Sequence, residues 1–198
     1  DDAIGFMCKN LFKKKNKIII SSDHDFYQLI DEKTIIWSPT LKAFVNRQKV
    51  IDRFGVDPVN FCLAKCIVGD TSDNIPGVKG VGYKTLVKGL TEFNCGNEID
   101  INYVLEDCKN SRKNSKKKMY QDIIDNEELI RRNWKLVHLD LNNLNHFQVE
   151  KIKNSVENNE VVWKNIDANR FLIKLGIKNI DLLACNQTFK ILRKQRNG

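Results

Sequence analysis

No apolar run in this chain approaches membrane-spanning length, and its opening residues do not read as a signal peptide. The six cysteines (Cys8, Cys62, Cys66, Cys95, Cys108, Cys185) include no CxxC pair. Cys62 and Cys66, four apart, have no matching pair nearby, which leaves zinc without a ligand set. Buried free thiols in a reducing, intracellular setting are the expectation instead. The three histidines, His24, His138 and His146, are not spaced as ligands, and no Ser/His/Asp or Cys/His arrangement suggests a nucleophile. Internal repeats are also lacking. These absences argue against a membrane-spanning helix, a disulfide scaffold and a triad hydrolase. Chemistry in this chain is expected to be carried by metal.

What is present is charge. The 198 residues include 33 Lys plus Arg against 25 Asp plus Glu, a formal net charge of +8 that favours a polyanionic partner. With 41% hydrophobic and 29% charged residues, the chain has the composition of a globular protein of one large or two small domains. Within this basic background the carboxylates gather in a few tight groups.

The most informative group lies in residues 69–86, GDTSDNIPGVKGVGYKTL. Asp70 and Asp73, three apart on a helical turn, fall on one side and suit a divalent cation. Gly77, Gly80 and Gly82, ahead of Lys84, let backbone amides approach a phosphate near a helix start. The plainer alternative is that GDTSDN is ordinary turn and capping chemistry. A second acidic pair elsewhere tips the balance toward metal beside phosphate.

That second pair follows a strand. Residues 1–11 have a helical apolar period with acidic residues first and Lys13-Lys14-Lys15 at the far end. Residues 17–21 read as a continuous β-branched strand, fully buried as parallel strands are, which suggests an α/β unit. Beyond its carboxyl end, Asp23 and Asp25 point the same way in extended backbone, where open α/β sheets bind ligands. His24 between them is expected to face away. Alternatively Ser22 or Asp23 only caps the helix through Leu29 and Ile30, though a cap needs one carboxylate and not two.

Further on, residues 34–37 form a second expected strand and 41–45 a returning arm. Residues 50–54 are a short helix stopped by Gly55, and Asp57-Pro58 opens a dense apolar helix to Val68. Helices are also expected over 85–90, 99–105, 123–132 and 169–175. Residues 134–139 read as an extended segment leading to Asp140 and Leu141. The basic run 112–118 reads as a solvated face, with phosphate contact as the sharper alternative. Residues 190–196 form a basic tail.

Taken together, Asp1-Asp2-Ala3, the run from Ile20 to Phe26, Trp37-Ser38-Pro39, the GDTSDNIPGV segment and the hairpin Lys79 to Thr85 resemble the 5′-nuclease superfamily. The likeness is greatest to its phage ribonuclease H and flap-nuclease branch. It is strong over 1–90 and looser to about 141. It implies an α/β fold: part of a parallel-sheet, PIN-like nuclease core (1–68), then an acidic loop, a helix–hairpin–helix unit and following helices (69–141), then a C-terminal helical region (142–198).

The resemblance implies a phosphodiesterase dependent on Mg²⁺ or Mn²⁺, using two ions in the complete enzyme. Asp1, Asp2, Asp23, Asp25, Asp70 and Asp73 would be its metal ligands, and all of them except Asp2 also its catalytic carboxylates. Gly77, Val78, Lys79, Gly80, Val81, Gly82, Tyr83 and Lys84 would grip duplex DNA, with K⁺ held at the same hairpin. Implied substrates are duplexes with a 5′ end, flap or nick, or RNA–DNA hybrids, in the cytoplasm of a bacterial host if phage-encoded. His24 stands where the family commonly has Gly, and Tyr83 where Pro is usual. Relatives carry further carboxylates and a helical arch ahead of the position of Asp1, so an N-terminal nuclease segment, separate or continuous, is expected to complete the site. The competing expectation is a non-catalytic duplex-DNA-binding module. An RNA-directed nuclease of the PIN-like fold is a third.

Overall fold

The computed structural model describes residues 1–139 and 141–158, together with 170, 173–176, 181, 183–184 and 187–188. The chain divides into two units, Asp1–Lys153 and Asn154–Gly198. The first carries every candidate residue named above. The basic tail lies outside the described residues, as do residues 169, 171 and 172 of the expected helix over 169–175, Cys185 and Asp140.

The first unit is α/β, with a small sheet and many helices. Helix α1 (Asp2–Phe6) runs on into a wider π turn (Met7–Leu11), then β1 (Lys17–Ile20) follows. A 3₁₀ helix (His24–Leu29) crosses to β2 (Thr34–Ser38), which lies parallel to β1 with Ile18 opposite Ile35 and Ile20 opposite Trp37. β3 (Ala43–Val45) returns antiparallel to β2, giving the sheet order β1-β2-β3.

β1 corrects one expectation. Among the described residues it is an edge strand, and only Ile19 of its isoleucines reaches the core, while Ile18 and Ile20 are 58% and 73% exposed. Strand alternation sends these two to the sheet face that no described element covers.

Helix α2 (Arg47–Phe54) starts earlier than expected and stops at Gly55 as expected, with Gly55 in a left-handed cap at φ 73°. α3 (Pro58–Val68) is the central element. Asp57 caps it through the Val59 amide, Pro58 opens it, and Phe61, Leu63, Ala64, Cys66 and Ile67 are all buried. A helix apolar on every side is a core helix. Against it pack α4 (Tyr83–Gly89) and α7 (Glu127–Val137), while α5 (Ile101–Asn114) packs on α6 (Lys118–Asp125) and α7, and α8 (His146–Glu157) follows. The single helix expected over 123–132 is thus two, broken at Asn126, whose side-chain amide turns back to the Asp122 carbonyl. Of the segment expected to be extended at 134–139, residues 134–137 are instead the last turn of α7 and the backbone extends only from His138, whose ring stacks on Trp134 at 4.3 Å. Cys62, Cys66 and Cys108 are buried free thiols, but Cys95 is exposed and Cys8 half-buried. Among the described residues no helix is long and apolar enough to cross a membrane.

Candidate metal centre and duplex-binding hairpin

α3 delivers the chain into the acidic loop through Gly69, φ 83°. A Cβ on Gly69 would overlap the backbone of Gly77, and one on Gly77 would overlap the carbonyl of Val68. Two backbone segments touch here, and only glycine fits either side. Asp70 and Ile75 exchange backbone hydrogen bonds of 2.8 and 2.7 Å, closing the loop, and the Val78 amide donates to the Ile67 carbonyl at 2.7 Å. From α7, buried Asn133 donates its side-chain amide to the carbonyls of Cys66 (2.9 Å) and Pro76 (2.8 Å), tying both ends of the loop to the core.

This scaffold brings Asp25, Asp70 and Asp73 together, with one oxygen of each within 4.8 Å of the others. Among the described residues they are the only such set of three. Asp23 stands outside it. Its Oδ1 caps the 3₁₀ helix by accepting the Asp25 amide at 2.8 Å, so the backbone turns there and the two carboxylates are not aligned as extended backbone would align them. Asp1 is exposed at the start of α1, and Asp2 accepts a 3.0 Å hydrogen bond from Asn143. Neither belongs to the set of three. His24 packs on Tyr27 and Phe54 at ring distances of 4.8 and 5.7 Å, and burial lowers its pKa.

In the middle of the three carboxylates lies a residue that motif spacing did not flag. Lys65 of α3, its side chain 3% exposed, pairs with Asp25 and sits 2.6 Å from Asp70 and 3.4 Å from Asp73. Burial opposes its charge, but hydrogen bonds to Asp25 and Asp70 raise its pKa and keep it protonated. Burial likewise works against ionised Asp70, yet Lys65 on Oδ2 and the Ser72 hydroxyl and amide on Oδ1 hold its pKa down to about 2. Burial pushes the Asp25 carboxyl up, with Lys65 pulling it back and Asp23 and Asp73 adding repulsion. The signal for Lys65 was available: the one charged residue of α3, five residues before Asp70, needs a buried counter-charge.

The hairpin after the loop divides its residues between two sides. Val78 and Val81 are buried, and the Tyr83 ring packs on Phe54 and Phe61, so these side chains anchor the turn. Lys79, Gly80, Gly82 and Lys84 are exposed, and a Cβ on Gly80 or Gly82 would meet nothing within 4 Å. This open side continues into a cleft of about 870 Å³ whose other wall is the start of α6. Lys79, Lys84 and Lys88 line one wall, Lys117 and Lys118 the other, with Asp122 the one acidic residue. None of the five lysines is in an ion pair among the described residues. The Tyr120 hydroxyl donates to the Gly89 carbonyl at 3.1 Å and fixes α6 against α4. The basic run thus has its last two lysines facing the hairpin.

The family model for the 5′–3′ exonuclease C-terminal SAM fold matches residues 56–160, which is α3, the acidic loop, the hairpin and the helices after it. The chain belongs to this 5′–3′ exonuclease family. A 5′–3′ exonuclease of Aquifex aeolicus is 34% identical over 94 residues, covering 47% of this chain and 32% of the relative. DNA polymerase I of Bacillus subtilis is 37% identical over 99 residues, covering 47% of this chain and 11% of the polymerase. Among solved structures, the 5′-exonuclease of phage T5 with divalent (zinc) ions bound superposes with a TM-score of 0.65 at 25% identity, over 79% of this chain and 58% of that one. A mutant of the T5 5′-exonuclease gives a TM-score of 0.59 at 27% identity, over 70% and 54%. The matched part is about a third of the length of the exonuclease relatives. The expected α/β family fold is therefore present, and the family model falls on α3 and the helices after it.

Proposed function

We propose that this chain supplies the carboxylates and the duplex grip of a divalent-metal-dependent phosphodiesterase that cuts near 5′ ends, as a 5′–3′ exonuclease or flap endonuclease. The observation that carries the reading is the convergence of Asp25, Asp70 and Asp73 beside an exposed hairpin in a member of this family. The donor set suits the ion: hard carboxylate oxygens, with Asp73 half exposed and open to solvent, favour Mg²⁺ or Mn²⁺. Asp25, Asp70 and Asp73 would hold it, and Asp1, Asp2 and Asp23 are the candidates for a second ion. Bound there, the metal would supply an acidified water and neutralise charge on the phosphate.

The chain's own residues do the rest. Ser72 and Lys65 fix the two oxygens of Asp70, and Asp23 fixes the backbone of Asp25. Lys79, Lys84, Lys88, Lys117 and Lys118 offer unpaired cations to a phosphate backbone, whose binding releases counterions. K⁺ at the hairpin, RNA–DNA hybrids as substrates, RNA primer removal and a separate N-terminal nuclease chain are part of the same proposal.

The test is Mg²⁺-dependent cleavage of a 5′-labelled flap duplex, with and without an added N-terminal nuclease segment. Cleavage in either case supports the nuclease reading, and a requirement for the segment would identify it as the source of missing ligands. Tight duplex binding with no cleavage in both cases overturns it in favour of a duplex-DNA-binding module. That second reading is favoured by one observation: five lysines of this chain line a single cleft beside the hairpin.

A further inference from the structure

The acidic cluster already contains a cation. Lys65 lies on α3 among buried Leu63, Ala64, Cys66 and Ile67. Its ammonium is ion-paired with the same three carboxylates that would hold a metal. A buried ammonium is unfavourable without matched charge, and three carboxylates this close repel one another without a cation among them. Each feature offsets the other's cost. With all four groups ionised, the cluster keeps a surplus of two negative charges, the charge of one divalent ion.

We propose that Lys65 is the resident cation of the acidic cluster: its ammonium holds Asp25, Asp70 and Asp73 together in the absence of metal and weakens their hold on a divalent ion. The proposal rests on the reading of these carboxylates as metal ligands. It treats Lys65 as a positioning residue, acting on the ion only through the carboxylates it binds. Two consequences separate this role from plain packing. A neutral side chain of similar reach should make the cluster a stronger divalent site, because a like charge a few ångströms from the ion is gone. The same variant should depend on divalent ions for stability, because the carboxylates then lack their internal counter-charge.

The experiment is Mn²⁺ titration by calorimetry, with thermal melts in chelator and in Mn²⁺, on the full 198-residue chain and its Lys65→Met and Lys65→Arg variants. Lys65→Met is expected to bind Mn²⁺ about tenfold or more tightly than the wild type, while Lys65→Arg, which keeps the charge, stays within about threefold. Lys65→Met should melt lower than the wild type in chelator and recover in Mn²⁺. Wild-type affinity in a folded Lys65→Met overturns the proposal and leaves the metal reading standing. No Mn²⁺ binding by either protein overturns both. If Lys65→Met does not fold in chelator, the charge-matched Asp25→Asn/Lys65→Met double variant decides. Recovered folding supports charge compensation, and continued unfolding shows that Lys65 is needed for packing and overturns the proposal.

Discussion

Asp70 is held from both sides, by Lys65 on Oδ2 and by Ser72 on Oδ1, and its pKa stands at about 2 in the folded protein. The unfolded value is about 3.9, so the folded pKa is depressed. The resulting stability is fully present above pH about 4 and is lost as pH falls through about 2. Melting temperature should therefore drop across that window, and Asp70→Asn should flatten this part of the profile. An unchanged acid slope in the variant would assign the loss to other carboxylates. Asn133 is the second residue whose worth can be read directly. Removing its amide leaves the carbonyls of Cys66 and Pro76 without that donor, so Asn133→Leu should cost about 1–3 kcal/mol in urea unfolding. A cost near zero would mean that the acidic loop holds its shape without α7. Spacing pointed to the pairs Asp23/Asp25 and Asp70/Asp73, because paired carboxylates are costly and stand out, and three of these four meet while Asp23 does not. Lys65 carried a signal as the one charged residue of α3, though spacing did not name its partners. Asn133 carried none, since one Asn on an amphipathic helix shows its meaning only when partners dozens of residues away are brought in by folding.

At the scale of elements, caps and breakers were the legible part. Asp57-Pro58 and Gly55 bound their helices where expected, and the hairpin glycines lie where the chain turns. β1 was misread because three consecutive isoleucines look the same in a doubly covered strand and in an edge strand with one bare face. α6 and α7 were merged because both carry the same apolar period across Asn126. The basic run was ambiguous for another reason: sequence does not say which lysines share a wall with a distant hairpin. The cleft now makes that choice testable by salt dependence. Duplex affinity plotted against salt should lose about one unit of slope in Lys84→Ala and about two in Lys117→Ala/Lys118→Ala. Lys13→Ala/Lys14→Ala, outside the cleft, should leave the slope unchanged. Equal effects from the two double variants would mean that diffuse charge, not the cleft, binds the backbone.

On the scale of the whole molecule, the carboxylate cluster and the lysine cleft belong to one unit but stand on different elements. Asp25, Asp70, Asp73 and Lys65 come from the 3₁₀ helix, α3 and the acidic loop, whereas the cleft is built by the hairpin, α4 and α6. Backbone binding driven by lysines and counterion release needs no divalent ion. Chelator should then leave duplex affinity within about threefold of its value in Mg²⁺ at fixed ionic strength, while abolishing any cleavage. Linkage requires the converse: if divalent ions do not alter duplex affinity, saturating duplex cannot alter divalent affinity. Anisotropy titrations with duplex and calorimetric titrations with Mg²⁺, each with and without the other ligand, measure both arms of this cycle. A loss of about tenfold or more in chelator, matched by an equal gain in Mg²⁺ affinity with duplex present, would mean that the ion bridges DNA and carboxylates. The acidic cluster would then be part of the docking surface, and the lysine cleft would not act alone.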